Sequence, residues 1–396
     1  MNFSRRAMNL LPSATLVVTS KAKELKRSGK PVISFGAGEP DFSSPPAALK
    51  YASEAMKRGE THYTPATGIP ELKEAISGYY ENHFGLEYPS GQIIVGAGAK
   101  PLLFEAMGCL VDEGDEVIVF APAWVSYVEQ IRLFGGKEVI VDTTDTSFMP
   151  DPEKLEEAIT DRTKCLIINN PNNPTGCVYS EGVLAKIAGI AKRHNIYIIY
   201  DEIYERLVYG DARHHQIVKV APEVRDLTLI VNGVSKAYAM TGWRIGYAIG
   251  PKDLISKMSA FQGHMTSNPC SIAQWASLGA IKEAEGNIEV MRTEFDKRRN
   301  LILGLLKEMP YISYQTPQGA FYIWINIEQT FGHRYKGHAI SDDGAFCELL
   351  LDNEYVAAVP GTAFLKAGNI RISYSNSEKE ITEGMSRLDK FLSEIE

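Results

Sequence analysis

Residues 235–247 carry the sequence SKAYAMTGWRIGY, directly after an apolar strand predicted at 227–232. The lysine in this stretch, Lys236, is expected at the edge of a dry core, where desolvation lowers the pKa of its ammonium group. A neutral amine is the form that Schiff-base chemistry requires. Arg244 can return to the same edge and offer a planar guanidinium to a phosphate. The stretch therefore predicts a reactive lysine beside an anion site.

Strands and helices alternate on the N-terminal side of this stretch. Continuous apolar segments such as residues 166–168 and 196–199 indicate strands that are buried on both faces. Such strands, alternating with helices, predict a mainly parallel α/β sheet whose loops meet at one ligand-binding edge. The strands are predicted at 92–95, 116–120, 137–142, 164–169, 196–200, 227–232 and 243–249.

The pattern changes after about residue 280, where long charged helices are predicted at 282–308 and 377–395. Shorter strands near 320–326 and 370–374 flank a helix at 342–352, which indicates a second, smaller α+β unit. We predict three regions. They are an N-terminal arm that forms part of the small domain (1–45), a large domain (46–280) and a small C-terminal domain (281–396).

Composition excludes several classes of protein. The 396 residues carry a formal net charge of −8, so there is no basic excess for general nucleic-acid binding. The apolar runs are too short to span a bilayer, and no signal peptide is recognised at the N-terminus. The 5 scattered cysteines include no CxxC pair and fit reduced thiols. We therefore expect a cytoplasmic protein.

Four segments in the same order resemble one family. They are NPNNPTG at 170–176, YDEIY at 200–204, SK…TGWRIG at 235–246 and NIRISY at 369–374. Together they resemble the class I aminotransferases, which are fold-type I pyridoxal-phosphate (PLP) enzymes, over nearly the whole chain. The resemblance implies the fold-type I architecture, PLP as cofactor, and a homodimer with shared active sites.

The resemblance also implies roles for residues around the PLP ring. Lys236 would bind PLP and move the substrate proton, and Asp201 would pair with the pyridinium nitrogen. A carboxylate at the end of a buried strand needs such a cationic partner. Asn173 and Tyr204 would hydrogen-bond the phenolic oxygen, and Trp124 would stack on the ring.

The segment GAGAK at 96–100 has two possible interpretations. It could begin a dinucleotide-binding fingerprint, but position 101 is proline where the third glycine would stand. A helix N-terminus with free amides is an anion site for any phosphate. We therefore assign Gly98, Ala99 and Lys100 to the PLP phosphate together with Arg244, and we leave Ser235 out of the site.

Substrate contacts are predicted at both ends of an amino acid. Arg371 lies between apolar residues on a predicted strand and so needs a fixed anion, which the resemblance identifies as the substrate α-carboxylate. Gly38 would offer its N–H group to the same carboxylate, and Trp124 and Asn173 would also contact the substrate. The glycine at position 38 could equally serve a turn that needs positive φ.

The segments Leu11–Thr15 and 98–100 resemble the bacterial aspartate aminotransferase subgroup. That resemblance assigns the distal carboxylate to Ser13, Thr15 and Lys100, although Ser13 could also be a simple helix N-cap. Residues 266–269 resemble the same subgroup, so Asn268 could join the site. Tyr63 would reach the PLP phosphate of the neighbouring subunit.

We therefore predict transfer of an amino group from L-aspartate, or a similar amino acid, to 2-oxoglutarate in a ping-pong cycle through PLP and pyridoxamine phosphate. A prephenate or aromatic aminotransferase and a PLP-dependent cystathionine-type β-lyase are the alternatives. A PLP-fold regulator without enzymatic activity and an NAD-dependent dehydrogenase fit the sequence less well. The adjacent histidines His214 and His215 are expected to be exposed loop residues, and no metal is predicted.

Overall fold

The computed structural model describes residues 3–10 and 12–396. Its α-helices are α1 (Arg5–Asn9), α2 (Ala14–Arg27), α3 (Pro46–Arg58), α4 (Pro70–Phe84), α5 (Ala99–Leu110), α6 (Ser126–Leu133), α7 (Pro152–Ala158), α8 (Glu181–His194), α9 (Ile217–Val220), α10 (Lys252–Met265), α11 (Ser271–Glu283), α12 (Glu285–Leu306), α13 (Asp343–Glu354) and α14 (Glu378–Ser393). Its strands are β1 (Ile33–Ser34), β2 (Ile93–Gly96), β3 (Glu116–Ala121), β4 (Lys137–Asp142), β5 (Thr163–Asn169), β6 (Tyr197–Asp201), β7 (Thr228–Gly233), β8 (Gly246–Ile249), β9 (Ser313–Tyr314), β10 (Tyr322–Asn326), β11 (Arg334–Tyr335), β12 (His338–Ala339), β13 (Val356–Ala357), β14 (Val359–Pro360) and β15 (Asn369–Ser373).

The large sheet has the predicted α/β character. Within the described part of the chain it holds 7 strands in the order β2-β8-β7-β6-β5-β3-β4. Only β8 runs against its neighbours, and the other pairs are parallel. The ends of β3, β5, β6 and β7, the end of β2 and the start of β8 therefore share one edge. That edge carries the predicted site.

Both faces of this sheet are buried, as the apolar strands predicted. In β3, Ile118 and Phe120 pack into one apolar cluster, whereas Val117 and Val119 pack into another on the opposite face. This alternation is the period of two that an extended strand imposes. Helices cover both faces, so the strand ends are held in a rigid frame.

A smaller mixed unit follows the large sheet. Among the described strands, β14, β15, β10 and β9 form an antiparallel sheet in that order, against which α12, α13 and α14 gather in a second apolar cluster. The short strand β1 pairs in parallel with β13, so the N-terminal segment joins this unit. The exact domain boundaries at residues 45 and 280 stay a prediction.

One predicted strand begins too early. The strand predicted at 243–249 begins at Gly246, because residues 241–243 form a short 3-10 helix and Arg244 adopts the left-handed conformation with φ +57°. That conformation is uncommon for a residue with a side chain, and it ends any strand geometry at this point. The turn directs Arg244 toward the edge of the sheet.

Candidate active site

A cavity of about 390 Å³ lies at the shared edge of the large sheet, between that sheet and the smaller unit. Most of the residues that the sequence nominated line it together. They are Thr15, Gly38, Ala99, Lys100, Trp124, Asn173, Asp201, Tyr204, Lys236, Arg244 and Arg371. These eleven residues are spread from position 15 to position 371, and the fold brings them together around one cavity.

Lys236 is the buried amine of this cavity. It follows β7 by three residues, and its Nζ donates a hydrogen bond to the backbone oxygen of Gly38. Burial, together with the nearby charge of Arg371, lowers the pKa of the Lys236 amine to about 8. A substantial fraction of neutral amine is therefore available slightly above neutral pH, as predicted.

Asp201 ends β6 and is buried beneath the cavity. The Tyr127 hydroxyl donates to Asp201 Oδ2 at 2.6 Å, and the N–H group of Ile203 donates to Oδ1 at 3.2 Å. Burial raises the pKa of Asp201 to about 6, and the hydrogen bond from Tyr127 opposes that rise. The carboxyl group thus has neutral donors here and no direct ion pair among the described residues, so a cation in the cavity would lower its pKa.

Arg371 is the second buried charge of the cavity, at 2 % exposure on β15. Its Nη1 donates to Asn173 Oδ1 at 2.9 Å and its Nη2 donates to the backbone oxygen of Gly36 at 2.9 Å. Its Nε is without a partner among the residues described. Burial lowers the pKa of the guanidinium. A buried guanidinium held by neutral groups is expected to bind an anion.

The N-terminus of α5 and the side chain of Arg244 together form a site that we call the anion cradle. Gly98 precedes that helix with φ +105°, and a Cβ atom added there would lie 2.5 Å from Nη2 of Arg244. Arg244 Nη1 is held by the backbone oxygen of Thr241 at 2.9 Å. The first N–H groups of α5 and the guanidinium therefore face the same space, which suits a phosphate.

Lys100 and Trp124 form the wall beside this cradle. The Lys100 ammonium lies 4.8 Å from the centre of the Trp124 ring. Burial lowers the pKa of Lys100, and the charge of Arg244 adds to that effect. The indole of Trp124 meets the ring of Tyr127 edge to face at 5.3 Å, which fixes its plane at the cavity wall.

Gly38 is required for space and not for a turn. Its φ lies outside the left-handed region, but a Cβ atom there would lie 2.7 Å from the hydroxyl oxygen of Tyr322. Tyr204 also contacts Tyr322, and their hydroxyl oxygens are 2.9 Å apart. The interpretation of position 38 as a turn glycine with positive φ is therefore wrong.

The outer residues of the predicted site are less tightly organised. Ser13 and Thr15 share a hydrogen bond of 2.9 Å between their hydroxyls, and Ser13 makes no side-chain cap to α2. Asn268 Nδ2 donates to the backbone oxygen of Pro269 at 2.8 Å. Tyr63 is 92 % exposed and does not line the cavity of its own chain. Leu11 lies outside the described residues.

Sequence reasoning missed several residues of the cavity. Among them, Tyr127 and Tyr322 contact the predicted residues as described above, and Ser235, which we had left out, lines the cavity. Tyr127 could have been found from its position on the first turn of α6, three residues after Trp124. Tyr322 carries no such local signal, because its partner Tyr204 is 118 positions away in the chain.

The prediction that both adjacent histidines are exposed is wrong for His214. Its side chain is 5 % exposed, and its Nε2 lies 2.9 Å from Glu202 Oε2. Burial lowers the pKa of His214 to about 4, so it is neutral near pH 7. The loop that follows β6 places this ring against those of Phe84 and Tyr200, each with centroids 6.0 Å away, which the polar sequence of the loop did not indicate.

Residues 3–10 and 12–396 contain no group of three or more His, Cys, Asp and Glu side chains that could hold a metal ion. In the same ranges no helix combines the length and the apolar character that crossing a membrane requires.

Comparison with known proteins identifies close relatives. The family described as aminotransferase class I and II matches residues 30–388. The chain is 44 % identical to an aspartate aminotransferase of Geobacillus stearothermophilus over 393 residues, which covers 99 % of both proteins. It is also 44 % identical to an aspartate/prephenate aminotransferase of Cereibacter sphaeroides over 383 residues, or 96 % of each.

A solved structure agrees with the fold. The aspartate aminotransferase from Thermus thermophilus with maleate superposes with a TM-score of 0.93 at 41 % identity, covering 99 % of this chain and 100 % of that one. The fold-type I prediction is therefore confirmed.

Proposed function

Because this chain belongs to the class I and II aminotransferases, we propose that it transfers the amino group of L-aspartate, or a similar amino acid, to 2-oxoglutarate. One observation carries the substrate proposal. Besides Lys236, Arg244 and the exposed Lys23, the cavity is lined by two further cations, Arg371 and Lys100. Two cations suit an amino acid that has two carboxylates.

The cavity residues fit PLP as the cofactor. The cradle of Gly98, Ala99, Lys100 and Arg244 would hold the phosphate, and Trp124 would lie against the ring. Asp201, which has only neutral donors, would gain the cationic partner that its burial calls for when a pyridinium nitrogen lies beside it. Tyr204 and Asn173 stand at the opposite wall, where a phenolic oxygen would lie. PLP, when bound, would act as the electron sink for bond breaking at the substrate Cα.

The protein's own groups then have distinct tasks. Arg371 would bind the α-carboxylate through its guanidinium and so orient the Cα–H bond. Lys236, whose amine is largely desolvated, would take the Cα proton and return it as a general base and acid. Closure of the small domain over the cavity would exclude water and strengthen these contacts.

Selection of a dicarboxylate would occur at the outer end of the cavity. Lys100 supplies the charge, and Thr15 and Ser13 supply hydroxyls. Once the cavity has closed around it, an ammonium left without an anion is costly, so a neutral side chain would be disfavoured. Maleate, held by the Thermus thermophilus relative, is itself a dicarboxylate. Asn268 would join only after a rearrangement, since its amide bonds the backbone here.

Two alternatives share this cavity. The Cereibacter sphaeroides relative is named for both aspartate and prephenate, and prephenate also carries two carboxylates. An aromatic amino acid or a cystathionine-type β-elimination would use the same lysine but would not need Lys100. An NAD-dependent dehydrogenase is excluded by the family to which the chain belongs.

We further propose a cytoplasmic homodimer. Tyr63 projects away from its own cavity, and Phe3, Met8 and Leu10 of the N-terminal segment are exposed apolar residues. Both features suit contact with a second subunit, in which Tyr63 would reach the phosphate of the neighbouring site. Sedimentation of the purified protein tests the assembly, and a monomer that retains full activity would contradict shared sites.

A half-reaction titration tests the function. L-aspartate, L-glutamate, L-phenylalanine and L-cystathionine are added separately to the PLP-loaded protein while the absorption of the cofactor is followed. We expect rapid loss of the band with aspartate and glutamate, and its return with 2-oxoglutarate. Conversion of phenylalanine alone would overturn the roles of Lys100, Ser13 and Thr15. Release of pyruvate and ammonia from cystathionine without an acceptor would indicate the β-lyase.

A further inference from the structure

Tyr322 connects the two units at the floor of the cavity. It is the first residue of β10 in the small sheet, it is buried, and its side chain lines the cavity. Its hydroxyl lies 2.9 Å from the hydroxyl of Tyr204, which belongs to the loop after β6 of the large sheet. The two rings meet edge to face with centroids 5.8 Å apart. The pair is therefore held both by packing and by a hydrogen bond.

The ring of Tyr322 also supports the buried guanidinium. The centre of the Arg371 guanidinium lies 4.3 Å from the Tyr322 ring centroid, and Phe364 packs against the same guanidinium at 4.8 Å. A cation over an aromatic face is attracted by the ring quadrupole, the more so when water is excluded. The ring therefore orients the group that we assign to the substrate carboxylate.

The direction of the hydroxyl hydrogen bond follows from the role proposed for Tyr204. Either hydroxyl could be the donor at 2.9 Å, but each phenol has only one hydrogen to donate. If Tyr204 directs its hydrogen to the phenolic oxygen of PLP, Tyr322 must be the group that donates to Tyr204. When Tyr322 donates to Tyr204, the O–H group of Tyr204 is left to point elsewhere, and the cavity lies beside it.

Gly38 lies directly against the Tyr322 hydroxyl. A Cβ atom at Gly38 would lie 2.7 Å from this hydroxyl oxygen, so the hydroxyl occupies the space that any other residue would fill. The backbone oxygen of Gly38 in turn accepts from Lys236. The Tyr322 hydroxyl therefore lies between Tyr204 and Gly38, and Gly38 links it to Lys236.

We propose that Tyr322 is a positioning residue for transamination. Its hydroxyl donates to Tyr204 and turns the Tyr204 O–H group toward the phenolic oxygen of PLP, while its ring holds Arg371 in line for the substrate carboxylate. The proposal rests on the proposed function. It assigns to one small-domain side chain both a contact to the cofactor, through Tyr204, and a contact to the substrate, through Arg371.

The test follows the cofactor absorption of the PLP-loaded enzyme as a function of pH. The readout is the pH at which the change in absorption is half complete, which we call the midpoint. A hydrogen-bond donor to the phenolic oxygen stabilises negative charge on that oxygen. When this hydrogen bond is weaker, the nitrogen through which Lys236 would hold the cofactor keeps its proton to higher pH. We expect Tyr322→Phe to raise the midpoint by about half a pH unit and to lower kcat about five-fold, as the loss of one neutral hydrogen bond predicts. The KM for L-aspartate stays near that of the wild type, because the ring remains under Arg371.

A double variant identifies the route of the effect. Tyr204→Phe should raise the midpoint further than Tyr322→Phe does. If Tyr322 acts through Tyr204, the variant with both changes shows the midpoint of Tyr204→Phe alone, because coupled sites are not additive. Additive shifts, or no shift in Tyr322→Phe, would overturn the proposal.

Further variants separate the ring from the hydroxyl. Tyr322→Leu removes the support of Arg371 and should raise the KM for L-aspartate about ten-fold beyond the effect of Tyr322→Phe. Gly38→Ala displaces the hydroxyl without changing Tyr322 and should shift the midpoint in the same direction. Either variant without its expected effect would count against the corresponding half of the proposal.

Tyr374→Phe is the matched control. Tyr374 is buried near the same sheet, but its hydroxyl donates to the backbone oxygen of Ala320 at 3.2 Å and does not line the cavity. It should leave the midpoint unchanged, and an equal shift there would reduce Tyr322 to a structural role. If the wild type shows no PLP absorption that amino acids change, the proposed function fails instead, so the two failures are distinct.

Discussion

The inner and outer ends of the cavity are built from different kinds of structure. At the inner end, Asp201, Lys236 and Arg244 stand at strand ends of one sheet whose faces are both buried, and each has a fixed partner. At the outer end, Ser13 and Thr15 lie at the start of α2, where several side chains are exposed, and Tyr63 projects away from the cavity. The inner end is organised within a single chain, whereas we propose that closure and a second subunit complete the outer end.

This difference separates chemistry from specificity. A preorganised inner end can hold a cofactor and move a proton whatever the substrate side chain is. An outer end assembled by closure can respond to the substrate that binds, so its residues govern the choice among amino acids. Variants of the inner end should therefore affect all substrates, and variants of the outer end should affect only some.

The largest expected effect is at Lys236. Lys236→Ala removes the group that transfers the proton, so turnover with every amino acid should fall by about 10³-fold or more. Steady-state assays with aspartate and phenylalanine, together with the cofactor absorption spectrum, measure this. Lys257→Ala, an exposed lysine on α10, is the control and should behave as the wild type. Near-normal turnover in Lys236→Ala would contradict the role assigned to Lys236. It would also contradict the assignment of the chemistry to the inner end of the cavity.

The next effect is at Arg371. Arg371→Ala should lower kcat/KM by about 10²- to 10³-fold for monocarboxylate and dicarboxylate amino acids alike, because both have the α-carboxylate and the loss leaves it unpaired. Arg371→Lys, which keeps the charge but not the planar guanidinium, should recover part of this loss. A loss confined to dicarboxylates would place Arg371 at the wrong end of the cavity.

A stability effect is expected at Asp201 in the protein freed of PLP. Burial raises the pKa of Asp201 from 3.8 to about 6, so the folded form holds this proton more tightly than the unfolded chain does. The free energy of unfolding therefore falls as the pH rises from about 4 to 6. Asp201→Asn removes the contribution of this group and should stabilise the apoprotein by about 3 kcal/mol at pH 7.5, but by almost nothing at pH 4.

Denaturant unfolding at pH 4, 5.5 and 7.5 measures this difference. The exposed Asp211→Asn serves as the control and should change the unfolding free energy little at any of these pH values. The same Asp201→Asn change should weaken cofactor binding, since the carboxylate is lost. An Asp201→Asn apoprotein that is less stable than the wild type at pH 7.5 would contradict the assigned environment.

The smallest expected effect is at Lys100, which lies at the outer end of the cavity. Lys100→Gln should lower the ratio of kcat/KM for aspartate to kcat/KM for phenylalanine about ten-fold, because only the dicarboxylate loses a charge partner. Lys100→Arg, which keeps the charge, should preserve most of the preference. An unchanged ratio in Lys100→Gln would assign selection to Ser13, Thr15 or the second subunit.

Sequence patterns predicted the positions of Asp201 and Lys236 in the fold for a local reason. Asp201 and Lys236 lie at or just after strand ends, and strand ends can be recognised from apolar runs of a few residues. The sheet topology then places them side by side. The partner of Asp201 was missed because the bond from Tyr127 joins positions 74 residues apart.

The burial of side chains was predicted less well for polar residues that lie in loops. His214 lies in a segment without apolar periodicity, so nothing local indicated that it would pack against Glu202. Arg244 shows a related difficulty, since its left-handed backbone shortened the predicted strand. Both errors concern segments whose conformation is decided by what they pack against.

The sequence by itself determined the succession of strands and helices along the large domain, the position of Lys236 after a buried strand and the family, because these depend on short motifs and on the period of apolar residues. Only the tertiary structure decided that Gly38 is needed for space, that Tyr127 donates to Asp201 and that Tyr322 bridges Tyr204 and Arg371. The physical reason is distance along the chain. Contacts between remote segments depend on how whole layers pack, and no local pattern of residues encodes which side chains then meet.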